Sequence, residues 1–416
     1  MNVTSATLTP IAPAKSEWEV RPLSSLSSFI TKGATPTTYG FRWEKDGVRF
    51  LRSECVSEQG LDLAAAEFIS PDAHAVLRRG EIRGGDLLMT ITGNVGRVVR
   101  LAPDFGVANI NQHIARIRIN DSAVDPDFVY HWLSQPSVRR HYLKITTGQA
   151  YPQISLQQVR DTLVSLPPLA FQRKISAALN GIDALLVALE KLIAKRRVLR
   201  QAVVQNLLTG MLRMAGFQGE WMPRSLGDLG VFAKGKGIRK DQVSTMGLPC
   251  VRYGEIYTRH NDVVQQFYSY IPPTVAAESE RLRSGDLLFA GSGETAGEIG
   301  KCVAFLETEE AYAGSDIVIF RPVGQDSHFL AYLMNHSSVA KQRARLAQGD
   351  AVVHISAGNL ARLRFKLPPV EEQRAIAALI SDMDAELVVL EARLEKTRLL
   401  KQGMMQELLT GRTRLT

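Results

Sequence analysis

With 416 residues, 45% of them hydrophobic and 22% charged, the chain has a soluble globular composition, enough for two or three ordinary domains and a sizeable core. A formal charge of +8 and a pI near 9.4 point to a polyanionic partner only weakly, since many basic proteins bind no nucleic acid. The three cysteines, Cys55, Cys250 and Cys302, lie far apart without a CxxC pair, which argues against a zinc site or a disulfide framework and suits a reducing cytoplasm.

Residues 1–15 read as a flexible tail, and "MNVTSATLTPIAPAKSEWEV" has no basic start followed by an apolar run, so it is not a secretory signal. Residues 16–168 form a first globular domain of short apolar runs ("GVRFLR", "DLLMTITG", "HIARIRI") broken by glycines and polar turns, the texture of short strands with a few helices. "LPP" at 166–168 marks a boundary, because proline is tolerated at a helix start, and residues 169–210 carry one long helical pattern. Its most apolar stretch, "AALNGIDALLVALEKLIA", is interrupted by Asn180, Asp183, Glu190 and Lys191 and would not span a bilayer as a lipid-facing helix. Residues 211–368 return to the strand texture as a second domain, 369–411 form a second long helix, and 412–416 are a tail.

The chain is an internal duplication. "LPPLAFQRKI" starts at Leu166 and "LPPVEEQRAI" at Leu367, 201 positions later; "NLLTG" ends at Gly210 and "ELLTG" at Gly411, again 201 apart. "GDLL" at 85–88 returns at 285–288, and "EWEVRPLSSL" from Glu17 returns as "EWMPRSLGDL" from Glu220. Both helices carry an apolar seam in steps of mostly three or four residues. In the first it is Ile175, Leu179, Ile182, Leu186, Leu189, Ile193, Val203 and Leu207; in the second, Ile376, Ile380, Met383, Leu387, Leu390, Leu394, Met404 and Leu408. Such a seam can lie on its own domain's core or against the other helix. About 38 residues at 1.5 Å each make a rod of roughly 55 Å, longer than the flank of a domain of this size, so pairing is expected. The expected fold is α+β: two globular domains of mixed short strands and helices, joined by two long helices pairing as an antiparallel coiled coil with pseudo-two-fold symmetry.

The stretch "GDLLFAGSGETAGEIGK" (285–301) invites a cofactor reading that its twin excludes. At 85–101 the same slot reads "GDLLMTITGNVGRVVRL", without the glycines a methyl-donor loop needs. A phosphate loop would want Ser or Thr after Lys301, where Cys302 stands, and a helix where "KCVAFL" reads as strand. The shared content is a hairpin. No Asn/Asp-Pro-Pro-aromatic loop holds a target amine, because the Pro-Pro pairs at 167–168, 272–273 and 368–369 all follow Leu or Ile. No HExxH, HxH or paired-cysteine set points to a metal, and no nuclease constellation stands out. The chain reads as non-catalytic, with no cofactor or metal of its own.

These residues carry a family resemblance. The two-fold repeat, the two "LPP" helix openings and the terminal "LLTG" resemble the specificity subunit of type I restriction–modification systems, over nearly the whole chain after the first fifteen residues. Pro368-Pro369-Val370-Glu371-Glu372-Gln373 is close to the family's PPxxEQ pattern; the first copy keeps Pro167, Pro168, Leu169 and Gln172 but has Ala170-Phe171 for the two glutamates, a departure that touches local capping or a partner contact. The resemblance implies a double-stranded DNA target in two parts, one read by each domain, with the paired helices fixing the gap. It also implies two adenine-N6 methyltransferase subunits carrying S-adenosylmethionine, and a motor–nuclease subunit for restriction. With both copies in one chain, self-dimerisation is not required. Divergence between the copies implies an asymmetric target.

Base readers are sought among polar side chains on loops that differ between the copies. The first glycine-rich loops supply Lys32, Thr35, Thr37, Thr38 and Tyr39 in one copy and Lys234, Lys236, Arg239 and Lys240 in the other; a solvated turn reads the same way. Arg52 matches Arg252, followed by Tyr253; Asn94 and Arg97 stand opposite Glu294 and Lys301. Asn111 and Gln112 face Ser315 and Asp316, and Gln149, Tyr151 and Gln153 face Asp350 and His354. The run Lys195, Arg196, Arg197 and Arg200 is a solvated face, a phosphate contact or a methyltransferase contact. Three rivals remain: a self-sufficient modification enzyme, a structural adaptor without a DNA role, and the specificity subunit of a system with a fused methyltransferase–nuclease partner.

Overall fold

The computed structural model describes residues 18–148, 150–295, 297–349 and 353–413, so the tail at 1–15, Gln149, Asp350 and the last three residues of the C-terminal tail lie outside the described residues. The chain divides into two compact units, residues 1–190 with 392–416, and residues 191–391. The division cuts through both long helices, so each unit owns half of each.

In the first unit, strand Glu19–Pro22 pairs antiparallel with Leu163–Leu166, fastening the start of the domain to the strand that leads into the long helix. A four-stranded antiparallel sheet follows the order Ser27–Lys32, Ile114–Ile119, Leu87–Thr90, Val98–Arg100. A second sheet runs Glu67–Ile69, Val48–Leu51, Ala108–Ile110, Glu81–Ile82, and its central pair is parallel. The second unit repeats both sheets. One orders Gly230–Lys234, Ile317–Pro322, Asp286–Ala290, Cys302–Phe305; the other orders Ser269–Ile271, Leu248–Val251, Tyr312–Ala313, Glu280–Arg281, again with a parallel centre. The "GDLL" segments are first strands of hairpins, Leu87 opposite Arg100 and Leu287 opposite Ala304. Their aspartates are buried pins. Asp86 accepts from the Arg83 backbone at 2.9 Å and from Arg118 Nε at 2.6 Å; Asp286 accepts from the Arg283 backbone at 3.0 Å and from Arg321 Nε at 3.3 Å.

The long helices run Leu169–Leu207 and Val370–Leu408, 39 residues each. The glutamine of each PPxxEQ-type opening is a buried bolt. Gln172 donates to the carbonyls of Pro167 and Ala123 at 2.8 and 3.2 Å and accepts from the Asp125 backbone at 2.9 Å. Gln373 donates to Pro368 O and Gln325 Oε1 and accepts from the Asp326 backbone at 3.0 Å, so each helix start is tied to the N-cap of the helix it packs on. Glu372 is fully buried and takes a two-pronged bond from Arg213 at 2.7 Å, a partner that Phe171 in the first copy cannot hold. The closing "LLTG" glycines, Gly210 and Gly411, both have φ of 71°, the left-handed stop of a helix. A Cβ on Gly411 would lie 2.9 Å from the Trp18 ring and one on Gly210 3.3 Å from Trp221, so a tryptophan caps each stop.

Within each unit the helix halves run antiparallel: across the ion pairs, later turns of the first helix meet earlier turns of the second. In the first unit Asp183 pairs with Lys401 at 2.6 Å and Glu190 with Arg398 at 2.7 Å. In the second, Arg196 pairs with Glu386 at 3.1 Å, Arg197 with Glu391 at 2.6 Å, and Arg200 with Asp384. Three members of the basic run are thereby held in ion pairs with the second helix, and only Lys195 stands as an exposed cation without such a pair among the described residues. The seam divides its duty. Ile175, Leu179, Met404 and Leu408 join the first unit's core around Met89, Phe128 and Trp132; Val203, Leu207, Ile376 and Ile380 join the second around Phe289, Phe320 and Phe329. Ile182, Leu186, Leu189, Ile193, Met383, Leu387, Leu390 and Leu394 are buried or half-buried between these ends. Lying on a core and pairing with the other helix are both realised, at different turns.

Candidate nucleic-acid interface

In the first unit, loops far apart in sequence converge on one open cleft of about 610 Å³. Thr35 and Thr37, Arg52, Asn94 and Arg97, Asn111 and Gln112, and Tyr151 all line it. The convergence has a backbone cause. Gly33 donates to Asn111 O at 3.2 Å and passes so close to the neighbouring strand that a Cβ would stand 1.7 Å from Ile110 O. Asn111 N donates to Leu51 O at 3.1 Å, Ile91 N to His113 O at 2.9 Å, and Ile154 N to Ile91 O at 3.0 Å. Each bond hooks one loop to the next.

The side chains above this frame are polar and mostly uncharged. Thr35 Oγ1 donates to Gln112 Oε1, Asn111 Oδ1 accepts from the His113 backbone at 3.1 Å, and Gln112 Nε2 lies 3.1 Å from His113 Nε2. Arg52 is paired with Glu54 at 3.4 Å and Glu67 at 3.6 Å. Lys32, Thr38, Tyr39 and Gln153 are exposed but are not among the lining residues. Gln153 instead closes a small loop by backbone bonds with Thr147. Lining residues outside the sequence candidates are Trp43, Phe50, Ser53, Glu54, Thr92, Gly93 and His113. Trp43 carried a signal, an aromatic in the polar turn "FRWEKDG"; it packs edge-on against Phe50 at 5.2 Å.

The second unit has three of these hooks and different chemistry. Gly314 N donates to Val251 O at 2.9 Å, Gly291 N to Asp316 O at 2.7 Å and Ile355 N to Gly291 O at 3.0 Å. On them stand Gly314, Ser315 and Asp316 in the slots of Asn111, Gln112 and His113. Ser315 Oγ donates to Gly237 O at 2.6 Å, and Asp316 sits at a φ of 62°, a left-handed conformation that short polar side chains tolerate. His354 Nδ1 lies 2.9 Å from Ser292 Oγ where the strand pair Ser292–Gly293 and Val353–His354 forms. Lys234, Lys236, Arg239, Lys240, Tyr253 and Glu294 are exposed, and Arg252 is half-buried. Lys236 and Arg239 make only loose pairs, with Glu280 at 4.0 Å and Asp241 at 3.5 Å.

Lys301 departs from expectation. It occupies the slot of Arg97, but its Nζ donates to His260 O at 2.6 Å and lines a different pocket, with Arg200, Asp262 and Arg343. Burial there lowers its pKa. The backbone equivalence with Arg97 is kept while the side chain turns away from the candidate loops.

The family model described as type I restriction modification DNA specificity domain matches this chain twice, at residues 15–197 and 218–397. The chain belongs to that family. Among curated members of the specificity family, the chain is 23% identical to a putative type I restriction enzyme MjaX specificity subunit of Methanocaldococcus jannaschii, across 98% of this chain and 96% of the relative. It is 28% identical to the type I restriction enzyme EcoBI specificity subunit of Escherichia coli over 42% of this chain, spanning 36% of that relative. Two solved structures share the fold across nearly the whole chain. An S subunit of a type I restriction–modification system from M. genitalium has a TM-score of 0.60 at 14% identity, covering 96% of this chain and 99% of its own. A chain from a structure describing complex assembly and conformational transition of the type I R-M system has a TM-score of 0.57 at 18% identity, covering 95% and 98%. The two matches of the specificity family's model each take in one globular part and one long-helix opening. Among the described residues no helix is long and apolar enough to cross a membrane, and no group of His, Cys, Asp or Glu is placed to hold a metal ion.

Proposed function

We propose that the chain is the DNA-reading, non-catalytic member of a type I restriction–modification complex, each unit reading one half of a split, asymmetric target in double-stranded DNA. The observation that carries this reading is the convergence of five separately nominated loops on the polar cleft of the first unit, on backbone hooks that recur in the second with other side chains. A common frame with exchanged lining is what two readers of unlike half-sites require. The long helices, each contributing to both units, set the gap between half-sites. The bound complex places two adenine-N6 methyltransferase subunits, which carry S-adenosylmethionine, and a motor–nuclease subunit for restriction, in the cytoplasm where the DNA lies.

The test is methylation mapping by single-molecule sequencing of DNA from cells with and without this gene, the methyltransferase partner being expressed in both. One split, asymmetric adenine-methylated motif that disappears with the gene is the expected result. An unchanged methylome, with both proteins present, overturns the reading.

A further inference from the structure

We propose that Arg97 reads a guanine in the half-site of the first unit, and that the corresponding slot of the second unit reads none. The inference rests on the DNA-reading function proposed above and names a specificity-determining residue within it.

Arg97 sits on a turn that its neighbours hold rigid. Its backbone N–H donates to Thr90 Oγ1 at 3.0 Å, its carbonyl accepts from Thr90 N at 2.9 Å, and Thr90 Oγ1 also donates to Asn94 O. From this base the side chain lines the cleft beside Asn94, Asn111, Gln112 and His113, with Trp43 and Tyr151 also in the lining. Among the described residues its buried Nε meets no hydrogen-bond partner and no carboxylate pairs with it. The nearby carboxylates are engaged elsewhere: Glu54 faces Arg52, and Glu58 is held by Arg139 at 2.5 Å.

No ion pair and no side-chain hydrogen bond holds the guanidinium among the described residues, so the end of the side chain that lines the cleft keeps its donors for an acceptor that enters it. A guanidinium offers a planar fork of donors, and the base edge that matches it is guanine, with O6 and N7 both acceptors in the major groove. A phosphate would match the fork as well. The surroundings favour the base: amides, an imidazole and aromatic rings are base-edge chemistry, whereas phosphate tracking uses exposed cations such as those of the 234–240 loop. In the second unit Lys301 spends its charge on His260 O, outside the reading loops.

The experiment compares the wild-type complex with Arg97→Ala and Arg97→Gln, each expressed with the methyltransferase partner, by methylome mapping and by competition binding of duplexes varied one base pair at a time. Wild type is expected to show a guanine in one half-site with discrimination of roughly five- to 150-fold over other bases. Arg97→Ala should reduce discrimination at that one position to near unity, leaving the other half-site and the gap unchanged. Arg97→Gln, whose amide matches adenine N6 and N7, should shift the preference there toward adenine. If both folded variants keep every position of the motif and only the log–log salt slope falls by about one, Arg97 is a phosphate contact and the proposal is overturned. A variant that does not fold is set aside on its melting curve, and the other decides. If wild type itself yields no motif, the DNA-reading function fails and not merely this assignment.

Discussion

The turn after the "GDLL" strand is built in both units on the same base, closed over residues 91–96 in one and over the longer stretch 291–300 in the other, and the copies put it to different uses. In the first, Arg97 reaches into a cleft of amides and aromatics; in the second, Lys301 turns to His260 O and joins Arg200, Asp262 and Arg343 in another pocket. Two backbone bonds at its base recur: Gly96 N to Thr90 O at 2.8 Å and Thr90 N to Arg97 O at 2.9 Å in the first, Gly300 N to Ala290 O and Ala290 N to Lys301 O at 3.0 Å in the second. The Thr90 hydroxyl bonds have no counterpart at Ala290. What differs is the length of the turn and the side chains that these shared backbone bonds do not need. A duplicated reader can thus change what it reads without disturbing what holds it together, provided the pins stay. Those pins are the Asp86–Arg118 and Asp286–Arg321 pairs and the Gln172 and Gln373 bolts.

The largest expected effect comes from removing a pin. Asp86→Ala would leave Arg118 without its carboxylate and the Arg83 N–H without its acceptor, a loss of about 3–5 kcal/mol for the first unit. Asp286→Ala should cost less, because Arg321 keeps Glu280 at 2.9 Å. Denaturant unfolding combined with hydrogen exchange resolved by unit would read both; equal losses would show that the two pins are not graded by their spare partner.

Acid should separate the units next. His260 is pushed down to about 4 by burial, with the nearby Lys301 adding to the shift, and burial also lowers His328 and His336. As pH falls below about 6.5 the unfolded chain binds these protons first. Stability is therefore full above that pH and declines through the window down to about 4, by up to about 3 kcal/mol for His260 alone. The first unit has the same sign, since burial lowers His131 and His141. Melting followed between pH 7.5 and 4 should show the second unit softening more, and His260→Asn should flatten its slope. A pH-independent second unit would contradict a neutral, buried His260.

A third effect tests whether the helix bolts are equivalent. Gln172→Ala removes three hydrogen bonds at a buried helix start and should cost about 2 kcal/mol in the first unit; Gln373→Ala should cost a similar amount in the second. Thermal unfolding with unit-resolved exchange checks both. A loss from Gln373→Ala near zero would mean that the buried Glu372–Arg213 pair, absent from the first copy's opening, holds that helix start by itself.

Much of this frame was legible because it recurs. The repeat exposed the hairpin behind "GDLLFAGSGETAGEIGK", since a cofactor loop would not lose its glycines in one copy while keeping its strands. The cleft's loops were legible one by one, because small residues crowded with polar ones mark turns. Three things were not. The direction of Lys301 depends on the His260 carbonyl, 41 positions earlier, which no local pattern announces. The run Arg196, Arg197 and Arg200 reads as a free basic face until Glu386, Glu391 and Asp384, nearly two hundred positions later, are brought alongside. The seam reads as continuous because core packing and helix pairing both ask for an apolar residue every third or fourth position, and the sequence cannot say which surface each one meets.

The smallest expected effect tests the antiparallel register of the helix halves. Glu190 and Arg398 meet at 2.7 Å with side chains 40% and 49% exposed, so solvent screens the pair and its contribution should stay within about 0–1 kcal/mol. Removing either charge should barely move the melting temperature. The pair is informative through its coupling: Glu190→Arg alone sets two arginines against each other, and adding Arg398→Glu restores opposite charges in reversed order. If the helices run antiparallel in the register shown, the double variant recovers most of what the single one loses, and the recovery shrinks as salt is raised. A parallel or shifted pairing would separate the two positions by many residues, and the double variant would then behave as the sum of two unrelated surface changes.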